Sequence, residues 1–144
     1  MISWDNYYMG ICHAVSVRSK DKSTQLGSVI VDADGLLSTG YNSFPRGIND
    51  NLAERQERPE KYKWFVHAEA NAIYNAARTG IRLAGAWIYC QWLPCPTCAM
   101  AIIQSGIIEV VVSSFNVPER WQGDIEISKT MLMEASILFR SISN

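Results

Sequence analysis

The sequence predicts a three-layer α/β domain, a five-stranded mixed sheet with helices on both faces. Three observations predict it. The chain has 144 residues, the size of one domain around one core. Its hydrophobic fraction of 48% and charged fraction of 19% suit a folded globular chain rather than a disordered one. Its apolar segments fall in the order α-β-β-α-β-α-β-α-β; strands separated by a crossover helix usually run parallel, and a hairpin supplies an antiparallel pair. No internal repeat, linker or low-complexity tract divides the chain, so residues 1–144 are expected to form a single domain.

Each element has a local reason. In "SWDNYYMGICHAVSVRSK", Trp4, Tyr8, Ile11, Cys12 and Val15 recur by threes and fours with Ser3 as N-cap, which predicts a helix. "LGSVIV" and "LLSTGY" flank "DADG", whose Asp34-Gly35 predicts a hairpin turn. The polar stretch "NSFPRGINDNLAERQERPEKYK" shows no strand or long-helix pattern; a loop of that length in a compact domain is usually functional or a lid. "HAEANAIYNAAR" closed by Thr79-Gly80 predicts a helix with a C-terminal stop. "AWIYCQW" predicts a buried strand, "PTCAMAIIQSG" a helix and "IIEVVVSS" a strand; "DIEISKTMLMEAS" and "ILFRS" predict a final helix and edge strand.

Composition excludes some partners. A net charge of −1 offers no broad electrostatic grip on a nucleic-acid backbone, so no nucleic acid is expected as partner, although a small phosphorylated ligand needs only a few local donors. No apolar run approaches membrane-spanning length, and "MISWDNYYMG" lacks a basic region followed by an apolar core, so a cytoplasmic location without membrane contact is expected. Of the four cysteines, Cys12 and Cys90 lie in apolar company and read as small core hydrophobes. Cys95 and Cys98 form a C-x-x-C pair, which in a cytosolic chain points to a metal or redox site.

The chemistry lies in "HAEANAI" and "PCPTC". On a regular helix His67 and Glu69 would point to nearly opposite sides, but His67 stands at the start of its helix, where first-turn residues project around the end. Pro94 and Pro96 place Cys95 and Cys98 at a second helix start. Two helix N-termini converging on one point favour thiolates, because their free N–H groups stabilise negative charge. One histidine and two thiolates leave one position of four-coordinate zinc open, as a catalytic site requires. Glu69 is then a carboxylate beside activated water, able to take and return its proton. Alone, His67 is an ordinary polar residue, the C-x-x-C a candidate redox pair, and Glu69 a first-turn acid that suits the helix dipole. Together, H-x-E, a crossover and P-C-x-x-C are the signature of zinc nucleobase deaminases.

With these motifs in view the sequence resembles the deoxycytidylate (dCMP) deaminases of the cytidine deaminase superfamily. "RSKDKSTQLGSVIV", "GYNSFPRGIND", "HAEANAI" and "PCPTCAMAIIQSGI" carry the resemblance. It implies a cytidine deaminase-like three-layer fold and zinc-dependent hydrolysis of dCMP to dUMP and ammonia, supplying thymidylate synthesis. It implies that Glu69 shuttles protons, that the backbone N–H of Ala68 meets the ring carbonyl, and that Asn42 contacts the sugar. Arg18, Ser19, Lys20 and Thr24 become candidates for the phosphate, against a reading of that stretch as a solvated charged loop. Phe115 becomes a candidate aromatic over the ligand, or a core residue. The resemblance further implies a homohexamer, activated by dCTP and inhibited by dTTP at a second nucleotide site with Mg2+. Candidates there are Phe44, Arg46, Gly47 and Asn49, with Arg78 facing a neighbouring subunit or simply solvent. Residues 43–66 hold neither Cys nor His, so one Zn2+ per chain is expected. "NLAERQERPEK" and the closing segment from Phe115 match the family only loosely. The competing functions are a broader deaminase that also accepts dCTP and a non-catalytic nucleotide-binding regulator.

Overall fold

The computed structural model describes residues 1–142, so the last two residues of the expected domain lie outside the described residues. Helix α1 spans Trp4–Ser16, and the Ser3 hydroxyl caps it by accepting the Asn6 N–H at 3.1 Å. Strands β1 (Gly27–Asp32) and β2 (Gly35–Tyr41) form the hairpin. Helix α2 (Ala68–Thr79) ends on Gly80, whose φ of 76° is the left-handed conformation that a C-terminal stop requires. There follow β3 (Trp87–Cys90), α3 (Pro96–Gln104), β4 (Glu109–Val112), α4 (Gln122–Glu134) and β5 (Leu138–Ser141). Every expected element is present, in the expected order.

The strands lie in the order β2-β1-β3-β4-β5. The β3–β4 and β4–β5 pairs are parallel, as crossover helices dictate. The sheet has a second antiparallel pair besides the hairpin, because β3 pairs with β1 rather than with β2. The crossover rule still governs direction: β2 and β3 run the same way, with β1 between them. Helices α2 and α3 therefore both start at the end of the sheet where β2 and β3 finish.

Tyr8, Met9 and Cys12 of α1 cover one face of the sheet against Val29, Val31, Tyr89 and Val111. The other face, Ile30, Ile88, Val110 and Val112, packs under Ala72 and Ala76 of α2, Ala99 and Ile102 of α3, and Ile125 and Leu132 of α4. Helices thus sit on both faces. Cys12 and Cys90 are fully buried, as small core residues, and burial pushes the Cys12 thiol up to about 12.

The polar segment between β2 and α2 has two 3₁₀ turns, Ala53–Gln56 and Glu60–Lys63. Its ends are closed by a bridge in which Ser43 and Val66 exchange N–H···O bonds of 3.1 and 2.7 Å. The segment is an ordered excursion that leaves and rejoins the chain at the base of α2.

Candidate active site

His67 is the N-cap of α2 and Cys95 the N-cap of α3, so both stand one residue ahead of a helix. What sets α2 in place is its contact with β2. A Cβ on Gly40 would collide with the backbone of Ala68, Asn71 and Ala72, so only glycine lets the helix sit this close to the strand. Side chains fasten it: Ser38 donates to the Ala72 carbonyl at 2.7 Å, Asn71 to that of Tyr41 at 2.7 Å, and Asn75 to that of Thr39 at 2.8 Å. Pro96 at the first position of α3 pre-sets the turn that carries both cysteines.

The result is a cluster of His67 Nδ1, Cys95 Sγ and Cys98 Sγ, with the sulfurs 3.4 and 3.5 Å from the nitrogen and all three atoms within 4.8 Å of one another. The hydrogen bond from the Cys98 thiol, opposed by burial and aided by His67, pulls Cys95 down to about 4, a thiolate at neutral pH. Cys98 is pushed up by its bond to Cys95 and by burial. Its bond to Cys95 raises His67 to about 9. One imidazole nitrogen and two sulfurs at helix starts, one already a thiolate, fit Zn2+, whose binding would displace the remaining protons. Glu69, two residues past His67, is buried at 7% exposure; desolvation raises its carboxyl pKa, and the charge of His67 only partly offsets this.

All of these groups except Cys98 line one cleft. Its lining includes His67, Ala68, Glu69 and Cys95, Trp92 and Leu93 after β3, and Thr24, Leu26 and Asn42. The polar segment contributes Arg58, Lys61, Tyr62 and Phe65, and the chain after β4 contributes Val117, Arg120, Trp121, Asp124 and Ile125.

Of the residues singled out from sequence, His67, Ala68, Glu69, Cys95 and Cys98 come together, and Thr24 and Asn42 border the same space. The Asn42 amide is largely engaged: Oδ1 accepts the Leu26 N–H at 2.8 Å, and Nδ2 donates to the Thr24 carbonyl at 2.9 Å and to Asp21 at 3.4 Å. Arg18, Ser19 and Lys20 do not line the cleft. Ser19 is buried with its hydroxyl bonded to the Asn42 carbonyl at 2.8 Å, while Arg18 and Lys20 on either side of it border a different cavity. Lys20 pairs there with Asp50 at 2.8 Å. Phe115 stands outside as well, edge-on to Phe139 at 6.3 Å with Lys129 over its ring.

Arg18 and Lys20 instead border a second cavity, with Phe44, Arg46, Gly47 and Arg78. Arg46 there donates to Asn75 at 2.6 Å. Asn49 is outside this lining; its side chain accepts the Asn51 N–H and its carbonyl accepts from Arg55. Arg58, Lys61 and Arg120 of the first cleft carry no motif spacing, and a charged stretch reads as a solvated face, so sequence reasoning passed over them.

The family model for the cytidine and deoxycytidylate deaminase zinc-binding region matches residues 2–114. A deaminase of Aliivibrio fischeri is 38% identical over 95% of this chain and 92% of its own length. Human deoxycytidylate deaminase is 35% identical over 78% of this chain, and the match spans 66% of the human protein. The dCMP deaminase of cyanophage S-TIM5, solved with dCMP and dUMP, superposes with a TM-score of 0.79 over 99% of this chain and 100% of that one, at 22% identity. At that identity the likeness is one of fold: a three-layer sheet with helices on both faces.

Proposed function

The chain belongs to the deoxycytidylate deaminase family within the cytidine deaminase superfamily, and on that premise we propose that it hydrolyses dCMP to dUMP and ammonia. The observation that carries the reading is the meeting of His67, Cys95 and Cys98 beside a buried Glu69, with His67, Cys95 and Glu69 lining one cleft. His67 Nδ1 and the two sulfurs would hold Zn2+, which would supply a Lewis acid that makes water easier to deprotonate near neutral pH.

This chain's residues do the rest. Glu69 takes a proton from the attacking water and delivers it to N3 of the cytosine ring as the C4–O bond forms. It then takes the second proton from the hydroxyl now on C4 and delivers it to the amine, which leaves as ammonia as the C4–N bond breaks and the C4 carbonyl forms. Its raised pKa suits both acceptance and return of a proton. The N–H of Ala68, at the first position of α2 and free of any helical partner, meets the ring carbonyl. Arg58 and Arg120 make no ion pair or hydrogen bond among the described residues, and both edge the cleft; they are the cations that take the 5′-phosphate. The remaining lone pair of Asn42 Oδ1 faces the sugar.

The second cavity is the place for regulation by dCTP and dTTP, with Mg2+ accompanying the nucleotide: Arg18, Arg46 and Arg78 supply cations around it. Regulation of this kind goes with a homohexamer. No helix of the described residues is long and apolar enough to cross a membrane, and the proposed site of action is the cytoplasm.

The test is Glu69→Gln, which preserves shape and removes the proton carrier. Turnover of dCMP is expected to fall by at least about 10³-fold with zinc content unchanged. Survival of activity would remove Glu69 from the mechanism. Parallel assays of dCMP, dCTP, CMP and deoxycytidine decide breadth: comparable turnover of dCTP would replace the monophosphate reading with the broader one, and no turnover of any would leave a nucleotide-binding regulator.

A further inference from the structure

Lys61 and Asp21 form the one ion pair among the described residues in which both side chains are nearly sealed, at 6% and 5% exposure. Lys61 Nζ reaches both carboxylate oxygens, at 3.0 and 2.8 Å. The other ion pairs are at least partly open to solvent. Burying two charges costs more than an exposed pair does, so their location is informative. Both residues line the cleft that holds Glu69 and Cys95.

Asp21 is tied into the wall of that cleft. Its Oδ1 accepts the N–H groups of Ser23 and Thr24 at 2.8 and 3.1 Å, and Oδ2 accepts from Asn42. These bonds and the pair with Lys61 outweigh the effect of burial and hold its carboxyl below the usual range, so Asp21 is ionised at neutral pH. A full negative charge therefore stands in the wall of a cleft that, on the reading above, admits an anionic nucleotide. Only Lys61, delivered by the polar segment between β2 and α2, cancels it. The other charged or ionisable groups lining the cleft are Arg58, Tyr62, Arg120, Asp124 and Glu69, together with His67 and Cys95 of the metal cluster.

We propose that Lys61 is a positioning and charge-masking residue: docking of the 43–66 segment neutralises Asp21 and so makes the cleft receptive to a phosphate-bearing substrate. Lys61 is held on Asp21 and is no ligand of the substrate itself. The cleft then discriminates between the docked and undocked segment electrostatically. The inference rests on the dCMP reading, since an uncharged substrate would be indifferent to the mask.

The experiment compares Lys61→Met, Asp21→Asn and the double variant with the parent, in zinc-loaded protein, by kcat and KM for dCMP and by thermal midpoint. Lys61→Met bares the carboxylate and is expected to raise KM about tenfold or more with a much smaller change in kcat. Asp21→Asn keeps an acceptor for the Ser23 and Thr24 N–H groups, removes the charge, and is expected to lower KM. The double variant, with no buried charge left, is expected to return KM to within about threefold of the parent. A purely structural tether predicts otherwise: both single variants raise KM together and the double does not recover. That pattern, or an unchanged KM in Lys61→Met, would overturn the inference while leaving dCMP as substrate. Should Lys61→Met fail to fold, the sign of the Asp21→Asn shift decides alone. Absence of dCMP turnover by the parent would overturn the substrate reading and this inference with it.

Discussion

At the scale of single residues, the cluster of His67, Cys95 and Cys98 beside Glu69 was legible in the sequence and the charged lining of the cleft was not, for a physical reason. Zinc chemistry demands particular atoms at particular helix starts, and that demand leaves a spacing in the sequence: His67 with Glu69, Cys95 with Cys98. Phosphate recognition demands only positive charge within reach, and any arginine can provide it. Arg18 and Lys20 sat in the better-matching segment, yet they border the second cavity and not the cleft. Arg58 and Arg120 came from the stretches with the weakest motif and reach the cleft from two sides of the fold. Replacing both with alanine is expected to raise KM for dCMP about 10- to 100-fold while changing kcat little, because each removes a charge-assisted contact made alike in ground and transition state. Steady-state kinetics on the double variant check this; an unchanged KM would move the phosphate elsewhere.

At the scale of elements, α2 shows how a strand can position a catalytic group. Its first turn carries Ala68 and Glu69 with His67 as cap, and it rests on β2 without an intervening side chain. Gly40→Ala would drive a methyl group into the backbone of Ala68, Asn71 and Ala72, atoms that cannot swing aside as a side chain would. A loss of about 2–3 kcal/mol is expected, measured by denaturant unfolding, with weaker zinc retention because the helix start moves with His67. Gly10, whose added Cβ would meet nothing, gives the contrast: Gly10→Ala in α1 should stabilise by about 0.5–1 kcal/mol. The helices and strands themselves were readable because their apolar spacing and stops are local. Gly40 was not, since a glycine in "LLSTGY" looks the same whether or not a helix lies on it.

At the scale of the whole molecule, strand order was the feature that local pattern could not report: that β3 adds to β1 follows from where α2 carries the chain, not from the residues of β3. Long-range ties close the resulting fold. Arg140 of β5 bonds Asp5 of α1 at 2.7 Å and Glu109 of β4 at 2.7 Å, and Tyr89 donates to the same Asp5 at 2.8 Å. The Arg140 bond, against some burial and with Tyr89, lowers the Asp5 carboxyl. Because that pair is half open to solvent, its stabilisation is small and salt-sensitive. The sealed Asp21–Lys61 pair fastens the polar segment to the turn before β1, and removing either partner would leave the other charge buried and unpaired. Burial pushes the Asp21 carboxyl up, but its hydrogen bonds to Lys61, Ser23 and Thr24 prevail and hold it below its unfolded value. Its contribution is therefore complete above about pH 4, the unfolded carboxylate range, and is lost as pH falls through that range toward the folded value. The thermal midpoint of the parent should drop below about pH 4 more steeply than that of Asp21→Asn, which has no proton to gain there. Zinc release at low pH is common to both proteins and cancels in the difference between their two pH profiles. Parallel profiles would mean that Asp21 carries the same pKa folded and unfolded, and that the polar segment is held by something other than this pair.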